Sequence, residues 1–203
     1  MGHIITPPEK GVRREEGAKM DKYSYVGTYS GIKFHFMKPK PSEVNLVDIC
    51  KALSQINRYG GHTEFPYSVG QHSLLICEKV ASEGYSKKIQ LYALMHDFAE
   101  AYLTDLPTPI KRELPHYGEM EENIMNAIYK HFKIDKPTKF IQELVKYYDT
   151  AILESEVKTL CPNAPWTPPN LGIKFHISPM TPKYVELNLR HKLVELLDLS
   201  ERG

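Results

Sequence analysis

Apolar residues recur at helical spacing along most of this chain, and the pattern predicts an all-α protein. Residues 88–102 carry Ile89, Tyr92, Ala93 and Ala99 on one stripe. Upstream, Val69, Ile76 and Val80 define a helix over about 65–82, with Pro66 suited to its first turn. A further helix is expected over about 43–57, capped by Ser42, with Val44, Val47, Ala52 and Ile56 among its apolar positions. Downstream, Met120, Ile124, Ala127 and Ile128 mark a helix over 119–132. Ile141, Leu144, Val145, Tyr148 and Ile152 mark a longer one over 138–160. A terminal helix opens at Thr181-Pro182 and buries Val185, Leu189, Leu193 and Leu196.

The connections have their own signatures. Residues 25–29 and 32–36 alternate around Ser30-Gly31, which predicts a short β-hairpin. Pro107 and Pro109 give 104–111 the character of a rigid, extended turn. Residues 161–181 hold Pro162, Pro165, Pro168, Pro169, Pro179 and the sole tryptophan, Trp166, with a candidate strand over 174–177. A loop of this length covers a cleft or meets a second subunit. Residues 1–20 are almost devoid of apolar content and are expected to form a flexible tail. The expected organisation is that tail and one domain over 21–203. The domain comprises a hairpin (21–41), a helical core (43–160), and the proline-rich loop with its terminal helix (161–203).

Polar residues then intrude on the apolar faces. His72 shares a face with Val69, Ile76 and Val80. His96, Asp97 and Glu100 interrupt the 88–102 stripe, with His96 and Glu100 four apart and so on one side of a continuous helix. Asp149 lies four after Val145 and three before Ile152, and Glu156 shares its face seven residues on. Buried imidazoles and carboxylates are costly without partners, and a divalent cation serves them together. Two histidines and two aspartates from separate helices make a mixed nitrogen and oxygen set suited to Mn, Co, Fe, Zn, Ni or Mg, with positions left for water or phosphate. No HExxH pair occurs. Beside these, Arg58-Tyr59 offers a guanidinium fork for phosphate and a ring for a sugar or base. Lys111 and Arg112 are further candidate phosphate contacts, and Asp105 is either a helix cap or a site acid.

Composition narrows the partners. Lysine and arginine total 26 against 25 acidic residues, a net charge of +1, which gives no general surface for stable nucleic-acid binding. Cys50, Cys77 and Cys161 are odd in number and include no CxxC pair, as expected for reduced thiols in a cytoplasmic protein. No apolar run reaches membrane-span length, and the first 19 residues are too polar for a signal peptide.

In order and rough spacing, His72, His96-Asp97 and Asp149 resemble the H…HD…D signature of the HD-domain metal-dependent phosphohydrolases. The segments Asn57-Arg58-Tyr59, Gln71-His72-Ser73, His96-Asp97-Phe98-Ala99-Glu100 and 104–111 are similar to those of the YfbR-like 5′-deoxynucleotidases. Phage HD-domain dATP triphosphohydrolases are similar too. The likeness covers about residues 43–160. It implies an HD-domain bundle of five or more helices, with His72, His96, Asp97 and Asp149 as metal ligands. It also implies that Glu100 positions or activates the attacking water, that Asp105 assists as an acid, and that Arg58 holds the phosphate. Where the bacterial nucleotidases have tryptophan after that arginine, this chain has Tyr59, followed by Gly60-Gly61. The resemblance implies a nucleotide substrate and a homodimer. The expected activity is 5′-dephosphorylation of deoxynucleoside monophosphates. Triphosphate release from dNTPs and a non-catalytic nucleotide- or metal-binding module are the alternatives.

Overall fold

The computed structural model describes residues 24–200, with side chains through residue 197. The expected tail over 1–20 lies outside the described residues. Among the described residues the protein is all-α apart from one small antiparallel hairpin. In that hairpin β1 (Val26–Gly27) pairs with β2 (Lys33–Phe34), in the register Val26 opposite Phe34. Gly31 provides the left-handed residue of the connecting turn. Phe34 is fully buried and stacks on Tyr102, so the hairpin is fastened to the helical core by one ring.

Helix α1 (Leu46–Leu53) begins later than its apolar pattern suggests. The Asn45 side chain, not that of Ser42, accepts from the Val47 and Asp48 amides and caps the helix. Residues 41–43 form a single 3-10 turn ahead of it. Helix α2 (Val69–Ser82) is likewise shorter than expected: Ser68, itself extended, caps it, and residues 65–67 stay outside the helix. There Tyr67 accepts the Arg58 amide, and Asn57 bridges to Ser68.

The expected 88–102 helix is two pieces, α3 (Lys87–Met95) and α4 (Glu100–Leu103). Across the break, the amides of Phe98, Glu100, Ala101 and Tyr102 each bond three residues back, as in a 3-10 turn. The rigid, extended turn expected over 104–111 forms only in part: residues 104–107 are irregular, with Thr104 at a positive φ of 68°, and α5 (Thr108–Glu113) then forms, with a proline tolerated in its first turn. Helices α6 (Tyr117–His131), α7 (Lys139–Leu160, capped by Thr138) and α8 (Pro182–Ser200) follow their periodicity closely. The candidate strand over 174–177 does not form, because the Phe175 amide bonds the Ser155 hydroxyl rather than a neighbouring strand.

Helix α2 packs along α3, α7 touches both, and α8 crosses α1, α2 and α3. Val185, Leu189, Leu193 and Leu196 bury the α8 stripe in the main core beside Leu53, Val69 and Leu94. Gly70 makes the closest crossing possible. A Cβ there would lie 2.6 Å from a Leu189 methyl and 3.1 Å from the Leu53 carbonyl oxygen. His72 and Asp149 are thus carried on helices locked against the core. No helix among the described residues is long and apolar enough to cross a membrane.

Candidate metal centre

His72 projects from the first turns of α2 and is wholly buried. His96 and Asp97 sit in the turn after α3, and Asp149 lies midway along α7. Between α3 and α4 the chain tightens into 3-10 bonding, and His96 and Asp97, at the start of that stretch, both lie against His72. His96 and Glu100 consequently do not share the face of a continuous helix.

The four side chains converge. Asp149 Oδ1 lies 3.2 Å from His72 Nε2 and 3.9 Å from His96 Nε2. Asp97 Oδ2 lies 3.2 Å from His96 Nε2 and 3.8 Å from His72 Nε2. These contacts are close but badly angled, and both buried Nε2 atoms lack a hydrogen-bond partner. Lone pairs aimed at a shared point, rather than at each other, give that combination. Atoms of His72, His96 and Asp97 lie within 4.8 Å of one another, so this buried group can hold a metal ion.

The far side of each ring is fixed. His72 Nδ1–H donates to Glu156 Oε1 at 2.6 Å, and His96 Nδ1–H donates to the Ala93 carbonyl at 2.8 Å. Both imidazoles thereby keep Nε2 for the centre. Burial opposes ionisation of Asp97 and Asp149. The neighbouring imidazoles overcome it and hold both carboxyls well below their ordinary range. Burial also opposes charge on His96, but the two aspartates push its pKa up to about 9. The site is short of positive charge, and a proton and a cation compete for it.

The group opens on a cleft of about 1400 Å³, whose walls include Arg58, Tyr59, Glu100, Asp105 and Lys111. The Arg58 guanidinium spans from Asp97 Oδ2 (3.5 Å) to Glu156 Oε2 (3.4 Å). Tyr59 and Gly60 both take left-handed backbone in the 3-10 turn Arg58–Gly61. The Tyr59 hydroxyl donates to Glu156.

Over 137 residues the sequence is 36% identical to the uncharacterized protein YfdR of Escherichia coli, covering 68% of this chain and 72% of YfdR. The chain belongs to the YfdR family. The uncharacterized protein RCAP_rcc00048 of Rhodobacter capsulatus is 32% identical over 143 residues, 66% of this chain and 73% of that protein. No protein-family model matches the sequence.

In this YfdR-family chain the remaining expected residues fall around the same opening. Glu100 is 3% exposed. Its Oε1 accepts from Lys111 at 2.9 Å, while its buried Oε2 has no partner. Burial, reinforced by Asp97 and Asp105, raises its pKa to about 8. Asp105 is also raised, chiefly by burial, and lines the cleft. Lys111, expected as a phosphate contact, instead bridges Glu100 and Glu121 at 2.9 Å each. Tyr59 departs from a simple sugar-packing role because its hydroxyl is committed to Glu156. The proline-rich segment meets its expectation in part, since Pro162, Pro165 and Trp166 form one wall of the cleft.

Glu156 is the residue that sequence reasoning passed over as functional. It is fully buried, and burial disfavours its charge, yet Arg58 and His72 lower its pKa to about 2. The one signal was its position, seven residues after Asp149 on the same helical face.

Proposed function

We propose that this protein is an HD-type, metal-dependent phosphohydrolase that removes the 5′-phosphate from deoxynucleoside monophosphates. The observation that carries the reading is the pair of buried, unpartnered Nε2 atoms of His72 and His96. They are set between Asp97 and Asp149 at the floor of a cleft that also holds Arg58. Those four side chains would hold a divalent cation of the Mn, Co, Fe, Zn, Ni or Mg group. When bound, such an ion supplies Lewis acidity and a water of lowered pKa.

The chain's own residues supply the rest. Arg58 offers its fork to a phosphoryl oxygen and neutralises charge as it develops. Glu100 Oε2, free of any partner, accepts the proton of the attacking water. Asp105, whose carboxyl burial pushes above its ordinary range, is placed to donate to the departing 5′ oxygen. The apolar wall of Pro162, Pro165 and Trp166 gives the nucleoside a surface to lie against.

A second reading, release of triphosphate from dNTPs, is favoured by the breadth of the cleft and by Arg112, Lys136 and Lys146 along it. A product assay separates the readings. Metal-stripped protein is reloaded with Co, Mn, Zn or Mg and incubated with dNMPs, NMPs and dNTPs. Nucleoside plus inorganic phosphate from dNMPs, abolished by Asp97→Ala, supports the nucleotidase. Triphosphate from dNTPs transfers the proposal to the second reading. Turnover of none of them with any metal leaves a binding module.

A further inference from the structure

Four residues form a closed circuit at the centre. His72 Nδ1–H donates to Glu156 Oε1 at 2.6 Å. Glu156 Oε2 meets Arg58 Nη2 at 3.4 Å, and Arg58 Nη1 meets Asp97 Oδ2 at 3.5 Å. Asp97 Oδ2 returns to His72 Nε2 at 3.8 Å. Two members are candidate cation ligands and one is the candidate phosphate clamp. Glu156 is neither one of the converging ligands nor part of the cleft lining, yet it holds a member of each kind. It is 0% exposed, and an anion so buried is tolerated only because His72, Arg58 and Tyr59 all donate to it.

We propose that Glu156 is a positioning residue that joins cation capture to phosphate capture. This rests on the metal-dependent reading above. One oxygen fixes the His72 ring so that Nε2 faces the centre. The other anchors one arm of the Arg58 fork. Asp97, engaged with a cation, would hold the second arm less tightly than its present 3.5 Å contact, leaving that arm for the phosphoryl oxygens. Glu156 keeps the guanidinium from following Asp97 inward. Without that anchor, Arg58 closes on Asp97 as a plain ion pair, obstructing the cation and leaving the phosphate without its fork. The left-handed Tyr59 fits the same role: its strained backbone is held by the hydroxyl bond to Glu156, which keeps the neighbouring Arg58 in register.

The test measures binding, not turnover, on the full chain. Mn affinity is read by competition with a chelating dye. Inorganic phosphate affinity is read by calorimetry at saturating Mn, and the Co-loaded protein is followed by its visible spectrum. Glu156→Gln should bind Mn about 10- to 100-fold more weakly and shift the Co bands, as expected for a lost carboxylate–histidine–metal contact. It should also weaken phosphate binding at saturating Mn. In Arg58→Ala that second loss should be already spent, so the double variant binds phosphate no more weakly than Arg58→Ala alone. Glu156→Asp, which keeps the charge, should recover part of both affinities, and it takes over the comparison if the glutamine variant does not fold. A folded Glu156→Gln with wild-type Mn affinity overturns the inference, as do phosphate losses that add in full. Wild-type protein that binds no divalent cation overturns the proposed function along with it. The two failures are therefore distinguishable.

Discussion

Replacing Gly70 by alanine tests the fit of α2 against α8, and so the platform on which His72 stands. In an ordinary helix interior this substitution stabilises by about 1 kcal/mol through helix propensity. Here the new Cβ would meet Leu189 Cδ1 at 2.6 Å, Val185 Cγ1 at 2.9 Å and the Leu53 carbonyl oxygen at 3.1 Å. Leu189 is fully buried and Val185 nearly so, which leaves neither methyl room to swing aside. Overpacking of a core costs about 1–3 kcal/mol, and three simultaneous contacts put this site near the upper end. The net expectation is a loss of about 2 kcal/mol, read as a fall in Tm of roughly 4–8 °C for a chain of this size. Gly118→Ala in α6 is the control, because nothing lies within 4 Å of its added Cβ. That variant should hold or gain up to about 1 kcal/mol. Thermal unfolding followed by circular dichroism reads both. A Gly70→Ala protein as stable as the parent would refute the close packing of α8 on α2, and equal effects in the two variants would refute the argument from contact.

Asp97→Ala and Asp149→Ala should each abolish stoichiometric Mn binding in equilibrium dialysis while leaving the helical content intact; retained binding in both would remove the centre. For the parent, Mn at about 100 times its Kd should add about 2.7 kcal/mol to stability, detectable as a rise in Tm that a chelator reverses. Stability should fall in acid through Glu156. Its carboxyl is held at about 2 in the folded chain against an ordinary value of 4.5. Its contribution of about 3 kcal/mol is therefore complete above pH 4.5 and fades as pH drops towards 2. Glu156→Gln should flatten that limb of a denaturant-against-pH series, and an unchanged limb would contradict the assignment. Asn45→Ala should cost about 1 kcal/mol and Ser42→Ala almost nothing, which chemical denaturation can separate.

The long helices were legible because their burial is one-sided. In α6, α7 and α8 every third or fourth residue is apolar and faces the core, and the boundaries fall within a residue or two of the pattern. The α3–α4 break was not legible, because Met95, Phe98, Ala99 and Tyr102 are all buried on either side of it and apolar spacing alone runs straight through. Ser42 and Asn45 are equally good caps by type. What separates them is Pro41, at the start of a 3-10 turn that ends before α1 begins. Of the site, His72, His96, Asp97 and Asp149 announced themselves as polar residues on apolar faces. Lys111 did not reveal its commitment to Glu100 and Glu121, since a lysine near acids reads the same whether it is bound or free. Glu156 meets His72 across 84 residues of chain, and no local pattern encodes that pairing.

The turn at 96–99 has a consequence for anyone who would transplant this centre into another helical scaffold. Copying the two histidines and two aspartates onto straight helices would reproduce the composition without the backbone path on which His96 and Asp97 meet His72 in this chain. The transferable unit is a piece of backbone, the three-residue hydrogen-bond spacing from Met95 to Tyr102 with Phe98 driven into the core as its peg. A designer would have to graft that peg and the pocket receiving it before placing a single ligand.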